Sequence, residues 1–86
     1  MSQVVQLARL CGWMVYHTHD SRGSAAGFPD LVLVRPPRLL TVELKSARGR
    51  LPPAQREWLE VLEKCRQVEV YVWRPADWET IVERLK

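Results

Sequence analysis

Residues 29–45 read PDLVLVRPPRLLTVELK, and the fold turns on how this stretch divides. Two runs, 29–34 and 39–45, are rich in Leu and β-branched residues and flank Arg35-Pro36-Pro37-Arg38. Short apolar runs bounded by breakers are the pattern of buried strands. Proline brings no N–H to a ladder, so the segment 35–38 reads as a four-residue loop. A connection that short makes an antiparallel hairpin the simplest pairing. Val34 then faces Leu39, and stepping outward Asp30 faces Glu43.

Working outward, Val4, Leu7, Ala8 and Cys11 share one helical face, so the periodicity predicts a helix over 3–11 that stops at Gly12. Residues 13–19, aromatic and β-branched, predict a strand, and 20–27 (DSRGSAAG) a loop. Beyond the hairpin, Pro52-Pro53 suits the first turn of a helix whose inward stripe is Gln55, Trp58, Leu59 and Leu62. Residues 68–73 (VEVYVW) predict a fourth strand. A last helix over 77–86 places Trp78, Ile81, Val82 and Leu85 on one side. The order is αβββαβα, a mixed α/β fold with helices packed on a small sheet.

Eighty-six residues make a single domain, 1–86, with a modest core. The chain is 47% hydrophobic, with four Trp and a net charge of +3, which excludes the disordered class. Part of that apolar surface is available for a homo-oligomeric interface. Arg35, Arg38, Lys45, Arg48 and Arg50 concentrate positive charge in one stretch, compatible with a polyanion or with an ordinary solvated surface. Cys11 and Cys65 lack partners at zinc-ligand spacing. No apolar run approaches the roughly 20 residues of a membrane span, so the expectation is a reduced, cytoplasmic, soluble protein without membrane association.

The chemistry lies in the charged residues inside apolar strands. Alternation puts Thr41, Glu43 and Lys45 on one face and Leu40, Val42 and Leu44 on the other. Directly paired strand residues have Cβ atoms about 4.5–5.5 Å apart, so Asp30 and Glu43 repel unless a cation lies between them. Hard carboxylate oxygens suit Mg2+ or Mn2+. Lys45 beside them could orient or deprotonate water, or stabilise charge developing on a phosphate. Gln55, a polar residue opening an apolar stripe, could hydrogen-bond a water or phosphate at a helix N-terminus. Together these are the parts that phosphodiester hydrolysis requires.

Plainer readings stand beside these. Asp30, Glu43 and Lys45 could form a charge-compensated ladder on a half-exposed sheet, and Gln55 could be a structural first-turn residue. His17 and His19 share a strand face and either bind metal or pack at a strand end. Arg22, in the 20–27 loop, is either solvated or within reach of a phosphate.

Three blocks in order, Gly27-Phe28-Pro29-Asp30-Leu31, Val42-Glu43-Leu44-Lys45-Ser46 and Leu51-Pro52-Pro53-Ala54-Gln55, resemble the VRR-NUC family, a branch of the PD-(D/E)XK nucleases. The similarity extends to Gly12-Trp13 and to YVWRPADW near the end, covering nearly the whole chain. A bare PD…ExK pattern arises often by chance, whereas the three blocks with matching elements are far more specific. The resemblance implies a restriction-endonuclease-like PD-(D/E)XK core. It implies metal binding by Asp30, Glu43 and the Leu44 main-chain carbonyl, a catalytic Lys45 and a supporting Gln55, with Mg2+ or Mn2+ as cofactor. It also implies DNA as substrate, with Arg22, Lys45, Ser46, Arg48 and Arg50 as contacts.

Minimal stand-alone members, typical of phages and prophages, look like homodimeric endonucleases acting on branched DNA such as four-way (Holliday) junctions. The expected function is thus a metal-dependent, structure-selective endodeoxyribonuclease. The alternatives are a non-catalytic DNA-binding module with a nuclease fold, and a sequence-specific restriction-type endonuclease. This chain departs from the family at one point: members usually carry an acid early in the first helix, and here no Asp or Glu precedes Asp20.

Overall fold

The computed structural model describes residues 2–18 and 25–86. Helix α1 (Ser2–Leu10) leads into strands β1 (Met14–His17), β2 (Leu31–Arg35) and β3 (Arg38–Leu44). Helix α2 (Pro53–Glu63), strand β4 (Val68–Trp73), a 3-10 turn (Pro75–Asp77) and helix α3 (Trp78–Leu85) follow. The order matches the αβββαβα reading. His19 and Arg22, and most of the 20–27 loop, lie outside the described residues.

The four strands form one sheet in the order β1-β2-β3-β4. β1 and β3 both run antiparallel to β2, while β4 runs parallel to β3. The parallel pair follows from α2: a helical crossover carries the chain back to the starting edge, which a tight turn cannot do. The C-terminal ends of β3 and β4 therefore lie side by side, with Leu44 paired to Trp73.

The hairpin has the expected register, Val34 opposite Leu39 and Leu31 opposite Val42. Its connection is shorter than the four residues expected. Arg35 and Arg38 pair as the last rung, leaving only Pro36-Pro37, joined by a cis peptide, in the turn. The prolines occupy the two positions outside the ladder, so their missing donors cost no strand hydrogen bond.

One sheet face carries Leu31, Leu33, Leu40 and Val42, and it packs with Val4 and Ala8 of α1 and Ile81 and Leu85 of α3. The Trp13 indole donates to the Leu85 carbonyl at 2.9 Å. The Arg35 guanidinium donates to the carbonyls of Cys11, Leu85 and Lys86 and stacks 4.5 Å from the Trp13 ring centroid. These bonds fasten the end of α3 to the end of α1 and use carbonyls that a helix terminus leaves unpaired. Helix α2 packs against β4, with Leu59 buried.

This arrangement splits the basic stretch that looked continuous in sequence. Arg38 forms a two-pronged ion pair with Glu69 at 2.7 and 2.9 Å, and Tyr71 donates to the same carboxylate at 2.6 Å. Arg35 and Arg38 sit at one end of β3, while Lys45, Arg48 and Arg50 follow the other end. The seven-residue strand, which starts with Arg38 itself, spans the distance between them, on the order of 20 Å at the rise of a β-strand.

Candidate active site

The site forms where β2 begins and β3 ends. Asp30 immediately precedes β2, and its Oδ2 accepts the Leu44 main-chain N–H at 2.8 Å. Glu43 is only 2% exposed despite its charge. Its position on the face opposite Leu40 and Val42 follows from alternation, but a half-exposed ladder does not: this carboxyl is buried. Lys45 lies just past the strand, held by its N–H to the Trp73 carbonyl at 3.0 Å, and its Nζ is 3.5 Å from Glu43 Oε2.

Burial first, and then the charge and side-chain hydrogen bond of neighbouring Asp30, push the Glu43 carboxyl up to about 7. Lys45 pulls in the opposite direction without overcoming these effects. A carboxyl in this setting is half protonated near neutrality and gains a full charge once a cation arrives.

Local packing brings the first turn of α2, which carries Gln55, against the segment that leads into Asp30. Gly27 adopts φ +88°, and a Cβ built there would lie 2.6 Å from the Ala54 carbonyl carbon. The glycine lets the segment before Asp30 press against the first turn of α2. Phe28 then meets Trp58 edge-to-face at 5.1 Å between ring centroids. The Gln55 Oε1 atom is buried and, among the described residues, has no hydrogen-bond donor. A buried acceptor left alone costs about 1–3 kcal/mol, a cost that a bound water or ligand removes.

Oxygen donors from Asp30 and Glu43, with Lys45 as a cation partner, fit a hard divalent ion. Mg2+ needs only one or two carboxylates besides water and phosphate. Among the described residues no cluster of three His, Cys, Asp or Glu forms a richer site, in keeping with the absence of an acid on α1. Instead α1 brings Gln3 and Gln6 to a groove that Lys45 also lines.

The loop after Lys45 exposes Ser46, Arg48 and Arg50. Arg74 shapes it, donating from Nη1 to the carbonyls of Ser46 and Gly49, each at 2.8 Å. Sequence reasoning missed Arg74. Its signal was available: a parallel β3–β4 pair places the residue after Trp73 beside the loop after Leu44. His17 is exposed at the end of β1.

A four-stranded mixed sheet flanked by three helices, with the acidic pair and lysine at one end, is the PD-(D/E)XK-like nuclease fold. The VRR-NUC domain model matches residues 2–77, and the chain belongs to that family. A solved structure described as a VRR_NUC domain protein aligns with a TM-score of 0.67 at 20% identity, covering 98% of this chain and 85% of that one. At that identity the likeness speaks for the fold. No curated protein matches the chain. Family membership brings a nuclease-type, DNA-processing function. Among the described residues no helix is long and apolar enough to cross a membrane.

Proposed function

We propose that the protein is a metal-dependent endodeoxyribonuclease that selects branched DNA, four-way junctions included, and acts as a homodimer. The observation that carries the catalytic part is Glu43, buried beside Asp30 with the Lys45 ammonium 3.5 Å away. Asp30, Glu43 and the Leu44 main-chain carbonyl would hold Mg2+ or Mn2+, which when bound supplies Lewis acidity toward a phosphate oxygen and acidifies water. Gln55 Oε1, an acceptor in need of a donor, orients the attacking water. Lys45 stabilises negative charge as it develops on the phosphoryl oxygens, and its partial burial strengthens that effect.

Ser46, Arg48 and Arg50, exposed on the loop that Arg74 shapes, contact the DNA backbone, with Arg22 as a further contact. Phosphate contacts report shape rather than base sequence, which suits a small reader of junctions. The dimer draws support from β1, where Met14 and Tyr16 stand 77% and 62% exposed on one sheet face.

The deciding experiment is cleavage of a labelled immobile four-way junction against a linear duplex of matched sequence, in Mg2+, Mn2+ or EDTA. Paired cuts in the junction that require the metal are expected. Binding without cutting in any metal would favour a DNA-binding module instead, and cutting of the duplex at one sequence a restriction-type enzyme.

A further inference from the structure

Beyond the catalytic residues, a groove of about 770 Å³ runs between α1 and α3 at the C-terminal ends of β3 and β4. Its size falls within the roughly 300–1,000 Å³ typical of sites for compact ligands. Trp78, the first residue of α3, lines it and remains 40% exposed, and Leu10 at the end of α1 is 85% exposed. Gln3 and Gln6 contribute amides from α1, and Lys45 and Arg74 contribute cations at the end next to the carboxylates. Among the described residues that line the groove none is acidic.

These features select among occupants. A flat apolar wall with an accessible indole suits a π-face, and an amide presents both a donor and an acceptor to a base edge. Lys45, which also pairs with Glu43 at 3.5 Å, and Arg74 bring positive charge to a lining without an acid, and that charge favours a ligand that carries phosphate. Lys45 belongs to both the groove and the catalytic cluster, so whatever fills the groove lies next to that cluster. A base held in a duplex cannot enter a cleft between two helices, so the base must be unpaired.

We propose that this groove takes an unpaired nucleobase of the DNA strand next to the scissile phosphate, stacked on Trp78 and edged by Gln3 and Gln6. The proposal rests on the nuclease reading and adds to it: strand opening beside the cut is what the enzyme selects. The docked base fixes the position of the neighbouring phosphate at Lys45.

The test measures binding in EDTA, where nothing is cut, to a branched DNA with a short unpaired tract, the same DNA with abasic sites in that tract, and a paired duplex. The unmodified protein is expected to lose roughly tenfold in affinity when the bases are removed, the scale of one base–aromatic stack. Trp78→Ala should lose a similar factor on the intact tract and nothing on the abasic one, while Trp78→Phe keeps most of the affinity. Equal binding of abasic and intact tracts by the unmodified protein would overturn the proposal without any variant having to fold. If Trp78→Ala instead changes the sedimentation of the protein and leaves base dependence intact, a second copy occupies the groove and the proposal is wrong. Metal-dependent cutting that ignores the abasic change would sink the groove alone, whereas absence of both DNA binding and cutting would sink the nuclease reading with it.

Discussion

The Asp30 carboxylate accepts the Leu44 main-chain N–H at 2.8 Å, so one side chain both closes the end of the β2–β3 ladder and faces Glu43. The two duties can be separated. In Asp30→Asn the amide oxygen can still accept the Leu44 N–H, but the charge beside Glu43 is gone. Cleavage should fall by at least a hundredfold, the scale on which catalytic groups act. The metal-free protein, by contrast, should melt at the same temperature or higher at pH 8, because a like-charge neighbour of a buried carboxylate has been removed. Calorimetry of both proteins beside a cleavage assay checks this. A variant that cuts at the normal rate would mean that Asp30 only serves the ladder.

Glu43 predicts an unusual pH profile for the metal-free protein. Its folded pKa, about 7, lies above the ordinary 4.5, so the folded state binds more protons than the unfolded state between these values. Its contribution is therefore fully present below 4.5 and lost as pH rises through 7, with a slope of at most about 1.4 kcal/mol per pH unit. Glu69 acts in a different window. Held down to about 2, first by its hydrogen bond from Arg38, it contributes above 4.5 and loses that contribution as pH falls toward 2. Melting temperature without metal should decline from pH 5 to pH 7.5, and Mg2+ should raise it far more at pH 8 than at pH 5. A melting curve that climbs steadily to pH 7.5 in EDTA would remove Glu43 as the metal-linked group.

The hairpin register, which brings Asp30 near Glu43, was legible in the sequence because the side-chain period of a strand is two. A slip by one residue would turn Leu31, Leu33, Leu40 and Val42 out of the core. Burial of Glu43 was not legible. Alternation assigns a residue to a face, but whether that face is covered depends on where α2 lands after a long crossover. The same limit explains the basic stretch. Sequence neighbours such as Arg38 and Lys45 lie at opposite ends of one strand, and Arg38 spends its charge on Glu69, thirty-one positions away.

Two glycines with the same backbone conformation should respond differently to an added methyl group. Gly12 and Gly27 have φ of +87° and +88°, so alanine at either is strained by about 1–2 kcal/mol. At Gly12 the nearest atom to a Cβ is the Arg35 side-chain Cδ at 3.8 Å, an ordinary contact. At Gly27 the Ala54 backbone stands 2.6 Å away and cannot yield without moving the start of α2. Gly27→Ala should thus cost about 2–4 kcal/mol against about 1–2 for Gly12→Ala, and it alone should also depress cleavage by moving the first turn of α2 away from the segment that leads into Asp30. Denaturant melts and turnover of both variants decide the point; equal losses would mean that the close approach of Gly27 to α2 does not position the site.

Gln55 offers the sharpest separation of structure from function. Its buried Oε1 has no protein donor among the described residues, so in the metal-free protein it is left to water for a partner. Methionine has nearly the same length and shape and carries no strong acceptor. Gln55→Met should leave the metal-free melting temperature unchanged or raise it by a few degrees, since about 1 kcal/mol moves a domain of this size by roughly 4–8 °C. Mg2+-dependent cleavage should fall at least tenfold through kcat, because the lost oxygen orients water rather than binding DNA, while affinity for DNA in EDTA stays the same. A destabilised Gln55→Met with normal kcat would show that the amide is a packing residue whose partner forms within the fold, and the site would then consist of Asp30, Glu43 and Lys45 alone.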